Sequence, residues 1–171
     1  MNTNFLVQGA TKEAVFKEVE AYIGDKVRIN SMDQTRPWGG FMVIEESDYQ
    51  QFIDNFFTDA THEVLTIAGK LTPKILLVEP GKKLSWQYHH RRAEIWTLIS
   101  GTAAIIKSDD DAEKDFTVLE LGRTVNLKQG ERHRLIGLDS WGIVAEIWQH
   151  TDKDNPSDED DIVRVQDDFG R

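Results

Sequence analysis

The chain contains no cysteine. That absence removes disulfides, thiolate metal sites and cysteine nucleophiles together, and leaves nitrogen and oxygen donors for any metal. Positive charge is also scarce, with 20 Lys and Arg against 30 Asp and Glu and a net charge of -10. Nucleic acid and anionic membranes are therefore not expected partners, because both demand a surplus of cations to displace counterions. A phosphorylated ligand would need a local basic patch. No apolar run is long enough to span a bilayer, and Met1-Asn2-Thr3-Asn4-Phe5-Leu6 has neither a charged n-region nor an apolar h-region. The expectation is a soluble, cytoplasmic protein, and 171 residues suit a single core.

Helical patterning is confined to the N-terminal third. From Thr11 to Ile23, Val15, Phe16, Val19, Tyr22 and Ile23 recur at helical spacing behind a capping Thr, with Gly24 as a stop. A second helix is expected from Ser47, with Gln50 completing a capping box and Tyr49, Phe52, Ile53, Phe56 and Phe57 forming an apolar stripe. Phe41 to Glu45 reads as a strand between them. Beyond residue 62 the apolar runs shorten, gain Val, Ile and Thr, and are broken by Gly, Pro and Asp. Strands are predicted at Glu63–Ala68, Lys74–Glu79, Leu84–His89, Glu94–Ser100, Thr102–Lys107, Phe116–Glu120, Thr124–Leu127, Arg134–Leu138 and Ile143–Trp148. So many short strands without intervening helices favour an antiparallel sandwich or barrel. Ser108–Lys114 and Asp152–Asp161 read as solvated acidic loops. The tail Ile162–Arg171 regains Ile162, Val163, Val165 and Phe169 and is expected to dock.

Gln87 and His89 are two apart on a predicted strand, which places both side chains on one face. Glu94 can meet them across a hairpin, and His133 opens another strand from which it could reach the same point. Two imidazoles, a carboxylate and an amide oxygen make a coherent site for one divalent cation.

Gly81-x5-Gln87-x-His89-x4-Glu94-x6-Gly101 resembles the first cupin motif, with Gln87 in place of its first His. Gly122-x7-Gly130-x2-His133 resembles the second, with Lys128 where proline is usual and Gly137 where asparagine is usual. Within the cupins the likeness is to the isomerase domain of type II mannose-6-phosphate isomerases. It runs through Arg36-Pro37-Trp38-Gly39, Leu84-Ser85-Trp86-Gln87-Tyr88-His89-His90-Arg91-Arg92-Ala93-Glu94 and Gly101-Thr102-Ala103. It ends in Glu159-Asp160-Asp161-Ile162-Val163-Arg164 and Asp168-Phe169-Gly170-Arg171. Ile95 departs from a His, Trp148 departs from a Gln, and an extra acidic stretch follows His150. Nothing in the chain resembles the Gly-rich nucleotide loop of the nucleotidyltransferase domain that many members carry.

The resemblance implies a mainly β fold: a single cupin-type antiparallel barrel, or jelly roll, over residues 36–171, with a helical extension at 1–35. It also implies metal-dependent aldose–ketose isomerisation of a sugar phosphate, mannose 6-phosphate to fructose 6-phosphate. Zinc is the ion implied, although manganese, cobalt, nickel or iron would accept the same donors. Glu94 and His90 are the candidate bases, with strand parity pointing His90 away from His89. A sugar phosphate calls for a rigid cationic fork. Arginines gather near the motifs at Arg36, Arg91, Arg92, Arg132, Arg134, Arg164 and Arg171. Arg92, between two ligands, is the foremost candidate, followed by Arg36, Arg134, Arg171 and Lys83. Trp38, Trp86, Trp96 and Trp148 could stack on a sugar or simply fill the core, and Trp96 is assigned to the core. A homodimer is expected. The rivals are a non-catalytic sugar-sensing cupin, favoured by Ile95 and Trp148, and an oxygen-using metalloenzyme on the same barrel.

Overall fold

The computed structural model describes residues 10–59 and 67–171. Helix α1 (Lys12–Gly24) starts where the spacing places it. Thr11 Oγ1 accepts from Ala14 N at 3.2 Å, and Val15, Phe16, Val19 and Ile23 are buried. Helix α2 (Tyr49–Phe56) begins two residues later than expected, after a 3-10 turn at Glu46–Asp48, and no side-chain cap forms. Arg28 accounts for this. Its Nη2 donates to Ser47 Oγ at 2.9 Å, and its backbone N and Nε donate to Asp48 Oδ2 at 2.8 and 3.0 Å. The capping box is thereby taken apart.

Eleven strands are described: β1 (Ile29–Asp33), β2 (Gly39–Ile44), β3 (Leu71–Val78), β4 (Trp86–Tyr88), β5 (Arg92–Ser100), β6 (Ala103–Ser108), β7 (Thr117–Val118), β8 (Thr124–Leu127), β9 (Arg132–Gly137), β10 (Gly142–His150) and β11 (Val163–Gln166). They form two sheets, ordered β1-β2-β3-β10-β5-β8 and β11-β4-β9-β6-β7, and the named strand pairs are antiparallel. The tail docks as expected, β11 pairing with β4. β1 had no counterpart among the predicted strands, and it brings residues before 36 into the larger sheet. The predicted strand Glu63–Ala68 lies outside the described residues except for Ile67 and Ala68, which are not in a strand. Among the described residues no helix is long and apolar enough to cross a membrane.

The six-stranded sheet is covered on both sides. Ile75, Leu77, Ile95, Ile143, Ala145 and Ile147 join one core with Phe16, Val19, Ile23, Phe52 and Phe56 of the helices. Their strand neighbours Leu76, Val78, Trp96, Leu98 and Val144 join a second core with Ala103, Ile105 and Leu135 of the smaller sheet. Period-two alternation therefore divides each strand between a helix-facing side and a side between the sheets. Gly101 (φ 74°) makes the turn from β5 to β6, where a Cβ would stand 1.7 Å from the Trp141 carbonyl oxygen.

Candidate metal centre

Inward side chains from just past the end of β4, from β5 and from β9 converge. His89, Glu94 and His133 are each 2% exposed, and one potential ligand atom from each lies within 4.8 Å of the others. His89 Nε2 is 3.1 Å from Glu94 Oε1, and His133 Nε2 is 3.4 Å from Glu94 Oε2. Each ring is aimed by its other nitrogen: His89 Nδ1 donates to the Asp161 carbonyl oxygen at 2.7 Å and His133 Nδ1 to that of Glu131 at 2.9 Å. A carbonyl only accepts, so the proton sits on Nδ1 and the Nε2 lone pair faces Glu94, as a metal-binding imidazole requires. His133 Nε2 is buried without a hydrogen-bond partner among the described residues. An unmet acceptor beside a carboxylate and a second Nε2, that of His89, is a donor set that a divalent cation satisfies. Gln87 stands opposite His133 in the β4–β9 ladder, and its Oε1 accepts from Ser85 Oγ at 2.5 Å.

Arg92 binds both sides of this cluster. Its Nε donates to Glu94 Oε1 at 2.8 Å and its Nη2 to His89 Nε2 at 3.2 Å, while its guanidinium lies 3.6 Å from the Trp148 ring centroid. Burial raises the Glu94 pKa, but the neighbouring cations, His89 and His133 when protonated and Arg92 always, outweigh it and hold the carboxyl well below its usual range. The permanent charge of Arg92 is the dependable part of that effect. Burial in turn lowers His89, against the pull of Glu94. Trp96 Nε1 is shared between Glu94 Oε2 at 3.2 Å and Glu146 Oε1 at 3.1 Å. Burial and the nearby charge of Glu94 push Glu146 up to about 8, opposed by Lys74 and Arg92.

The segment 152–161 is a structural part of the site. The expectation of a solvated loop is corrected by burial of Ser157 and Asp161. The Asp161 carboxylate accepts from His90 N and Arg91 N at 3.0 Å each and from Ser157 Oγ at 2.6 Å. Arg92 Nη1 donates to Ser157 Oγ at 2.9 Å and to the Asp158 carbonyl at 3.1 Å. Ser157 N donates to His150 Nδ1 at 3.0 Å, so the His150 proton is on Nε2, 2.7 Å from Thr72 Oγ1. Burial and the charges of Lys70 and Arg92 lower His150 to about 4. The other acidic loop is also tied down: Arg132 Nε pairs with Asp111 at 2.7 Å and Arg134 Nη1 with Glu113 at 2.5 Å.

A cavity of about 340 Å³ adjoins the cluster, with Gln87, Arg92, Glu146, Trp148 and Lys74 in its wall. Of the candidate substrate residues, Arg36 and Arg171 line it, and Arg92 links it to the ligands. Arg134 and Lys83 are not in its wall. Arg134 is 1% exposed and braces Leu84 O, Glu113 and Asp168, and Lys83 Nζ is 3.3 Å from Asp168. His90 is exposed, edge-on to Tyr88, as strand parity requires, so it does not reach the cluster. Ile95 faces the helices, so its departure from the family pattern lies away from the site. Lys74, Glu146, Ser157 and Asp161 were not among the expected site residues. A charged residue at an inward position of an apolar strand was a usable signal for Lys74 and Glu146; the acidic loop offered none for Asp161.

The family described as mannose-6-phosphate isomerase C-terminal matches residues 48–167. The xanthan biosynthesis protein XanB of Xanthomonas campestris pv. campestris (strain B100) is 32% identical over 115 residues, 64% of this chain and 22% of that protein. The alginate biosynthesis protein AlgA of Pseudomonas aeruginosa is 29% identical over 157 residues, 92% of this chain and 26% of that protein. A mannose-1-phosphate guanylyltransferase of Escherichia coli (strain K12) is 27% identical over 136 residues, 80% of this chain and 22% of that protein. The chain thus spans about a quarter of the length of these relatives. Among solved structures, an oxalate decarboxylase superposes with a TM-score of 0.54 at 12% identity, covering 79% of this chain and 30% of that one. The capsular polysaccharide assembling protein CapF of Staphylococcus aureus gives 0.50 at 16% identity, covering 80% and 34%. These likenesses speak to fold, and the fold is that of the cupins. With residues 48–167 matched and the two antiparallel sheets in place, the chain belongs to the mannose-6-phosphate isomerase C-terminal family.

Proposed function

We propose that the chain is a metal-dependent isomerase of a sugar phosphate, interconverting mannose 6-phosphate and fructose 6-phosphate. The observation that carries this reading is the convergence of two inward-facing Nε2 atoms and a carboxylate next to a polar cavity. His89, Glu94, His133 and Gln87 would hold the ion, which when bound supplies Lewis acidity toward a carbonyl oxygen and the oxyanion that develops on it. Arg92 holds Glu94 ionised and occupies the His89 lone pair from the cavity side, so it must yield that contact before His89 can ligate. Moved toward the cavity, the same guanidinium is placed to bond a substrate oxygen while staying stacked on Trp148. Glu94 can also take the carbon-bound proton, provided that one of its oxygens is not committed to the ion. Zinc as the resident ion and a homodimer are parts of the proposal that rest on family likeness, and a cytoplasmic location is the part that rests on the absence of a long apolar run.

The test is turnover of mannose 6-phosphate and fructose 6-phosphate, in both directions, by chelator-stripped protein resupplied with zinc, manganese, cobalt or iron. Metal-dependent turnover that Glu94→Gln abolishes and Arg92→Ala weakens is the expected result. Tight metal binding with no turnover of either sugar would overturn the isomerase in favour of a non-catalytic sugar-binding cupin.

A further inference from the structure

Besides Arg92, which is bound to Glu94, the cavity wall carries three guanidiniums, those of Arg36, Arg164 and Arg171. Two have their own carboxylates: Arg36 Nε donates to Asp33 Oδ2 at 2.9 Å, and Arg171 Nε and Nη2 grip Asp167 at 2.9 Å each. Arg171 holds Asp167 down at about 2. Arg164 has no hydrogen-bond or ion-pair partner among the described residues and is exposed at the cavity mouth. Partial burial and the like charges of Arg171 and then Arg36 press its guanidinium below the usual range, with only Asp167 pulling the other way. Three forks within electrostatic reach of one another, one of them uncompensated, form an arrangement that an anion with several acceptor oxygens relieves.

Its place in the sheet adds direction. Arg164 is the ladder partner of Gln87, and Gln87 is the ladder partner of His133. Directly opposed residues of antiparallel strands share a face, so the three make one row across β11, β4 and β9, with a metal-ligand imidazole at one end and the free guanidinium at the other. Two strand spacings, roughly 10 Å of backbone, separate the ends. The span suits a molecule with a carbonyl at one end and a phosphate at the other.

The geometry points to Arg164, supported by Arg36 and Arg171, as the subsite for a phosphate monoester dianion, with Arg164 the residue that sets affinity. This deepens the isomerase reading and rests on it for the identity of the sugar, though not for the anion. The acids in the same wall, Glu146, Glu159 and Asp160, do not fill the place: Glu146 accepts from Trp96 Nε1, Glu159 is engaged with Lys74 Nζ, and Asp160 is exposed.

The experiment titrates inorganic phosphate into the cobalt-loaded full chain at low ionic strength, following heat and the cobalt absorption spectrum together. The expected result is saturable binding with an unchanged cobalt spectrum, weakened at least about tenfold by Arg164→Ala. Arg164→Lys should weaken it less, and the charge-matched surface change Arg123→Ala should leave it as it was. Equal weakening by Arg123→Ala and Arg164→Ala, or binding that shifts the cobalt spectrum and ignores Arg164, would overturn the subsite. If cobalt is not retained, the heat of phosphate binding alone decides the same question. Turnover separates the two readings. Phosphate binding through Arg164 without isomerisation of either hexose phosphate leaves the subsite standing and removes the isomerase. Isomerisation with an unchanged KM in Arg164→Ala does the reverse.

Discussion

The two faces of the six-stranded sheet are made by the same strands and do different work. The helix-facing side of β3, β5 and β10 presents Ile75, Leu77, Ile95, Ile143, Ala145 and Ile147. One residue along, the side facing the smaller sheet presents Lys74, Glu94, Trp96, Glu146 and Trp148. The rung Glu146–Trp96 and the rung Trp148–Glu94 place the charged apparatus of these strands on one side of a sheet whose other side carries no charge on them and is apolar apart from Thr97 and Gln149. The scaffold is therefore insulated from the chemistry by a single residue of register, since a slip of one would bury the carboxylates among the helices.

The sharpest test of that insulation is Ile147→Ala. Urea denaturation should show a loss of about 2–5 kcal/mol from the cavity left under the helices, while cobalt titration of the still-folded protein gives unchanged affinity. A changed affinity would show that the two faces are coupled. The opposite pattern is expected of Asp161→Ala, which removes the carboxylate that ties His90 N, Arg91 N and Ser157. Metal affinity should fall about 10- to 100-fold, the usual consequence of disturbing a ligand's support, with a smaller loss of stability.

A third test sets inner against outer through pH. Glu146 keeps its proton in the folded chain up to about 8, whereas the unfolded chain releases its own near the ordinary carboxyl value. The unfolded state is thus favoured progressively as pH rises through that window, and stability of the metal-free chain should decline. Glu146→Gln should flatten the decline, as seen in melts at pH 5 and pH 8, and an unaltered slope would remove Glu146 as its source. The smallest effect belongs to the rim of the outer face. Thr11→Ala, removing the α1 cap, should cost about 1 kcal/mol and leave cobalt binding and its pH dependence unmoved.

What could be read from the amino acids follows the same division. His89, Glu94 and His133 were legible because alternation turns each of them inward, although β4 and β5 lie in different sheets, so Glu94 meets the imidazoles from the opposing sheet and not across the expected hairpin. The tail strand was legible because Val163 and Val165 return after a polar stretch. The edge strand β1, Ile29-Asn30-Ser31-Met32-Asp33, was not, since it is half exposed and lacks an apolar alternation. The expected capping box failed because Arg28, twenty residues away, takes Ser47 and Asp48. Acidic side chains at 152–161 suggest solvation whichever way they point. Only the fold reveals that Asp161 turns inward, and the placement of Arg134 against Glu113 and Asp168 was likewise a tertiary matter.

Asp161 serves two masters with two different groups: its backbone carbonyl fixes the His89 ring, and its carboxylate fastens the segment that follows His89. Holding the ion and keeping the loop shut are consequently one thermodynamic cycle. Occupancy at His89 should slow local opening around Ser157, and by reciprocity anything that grips the loop, a substrate oxygen on Arg92 included, should lengthen the residence of the ion.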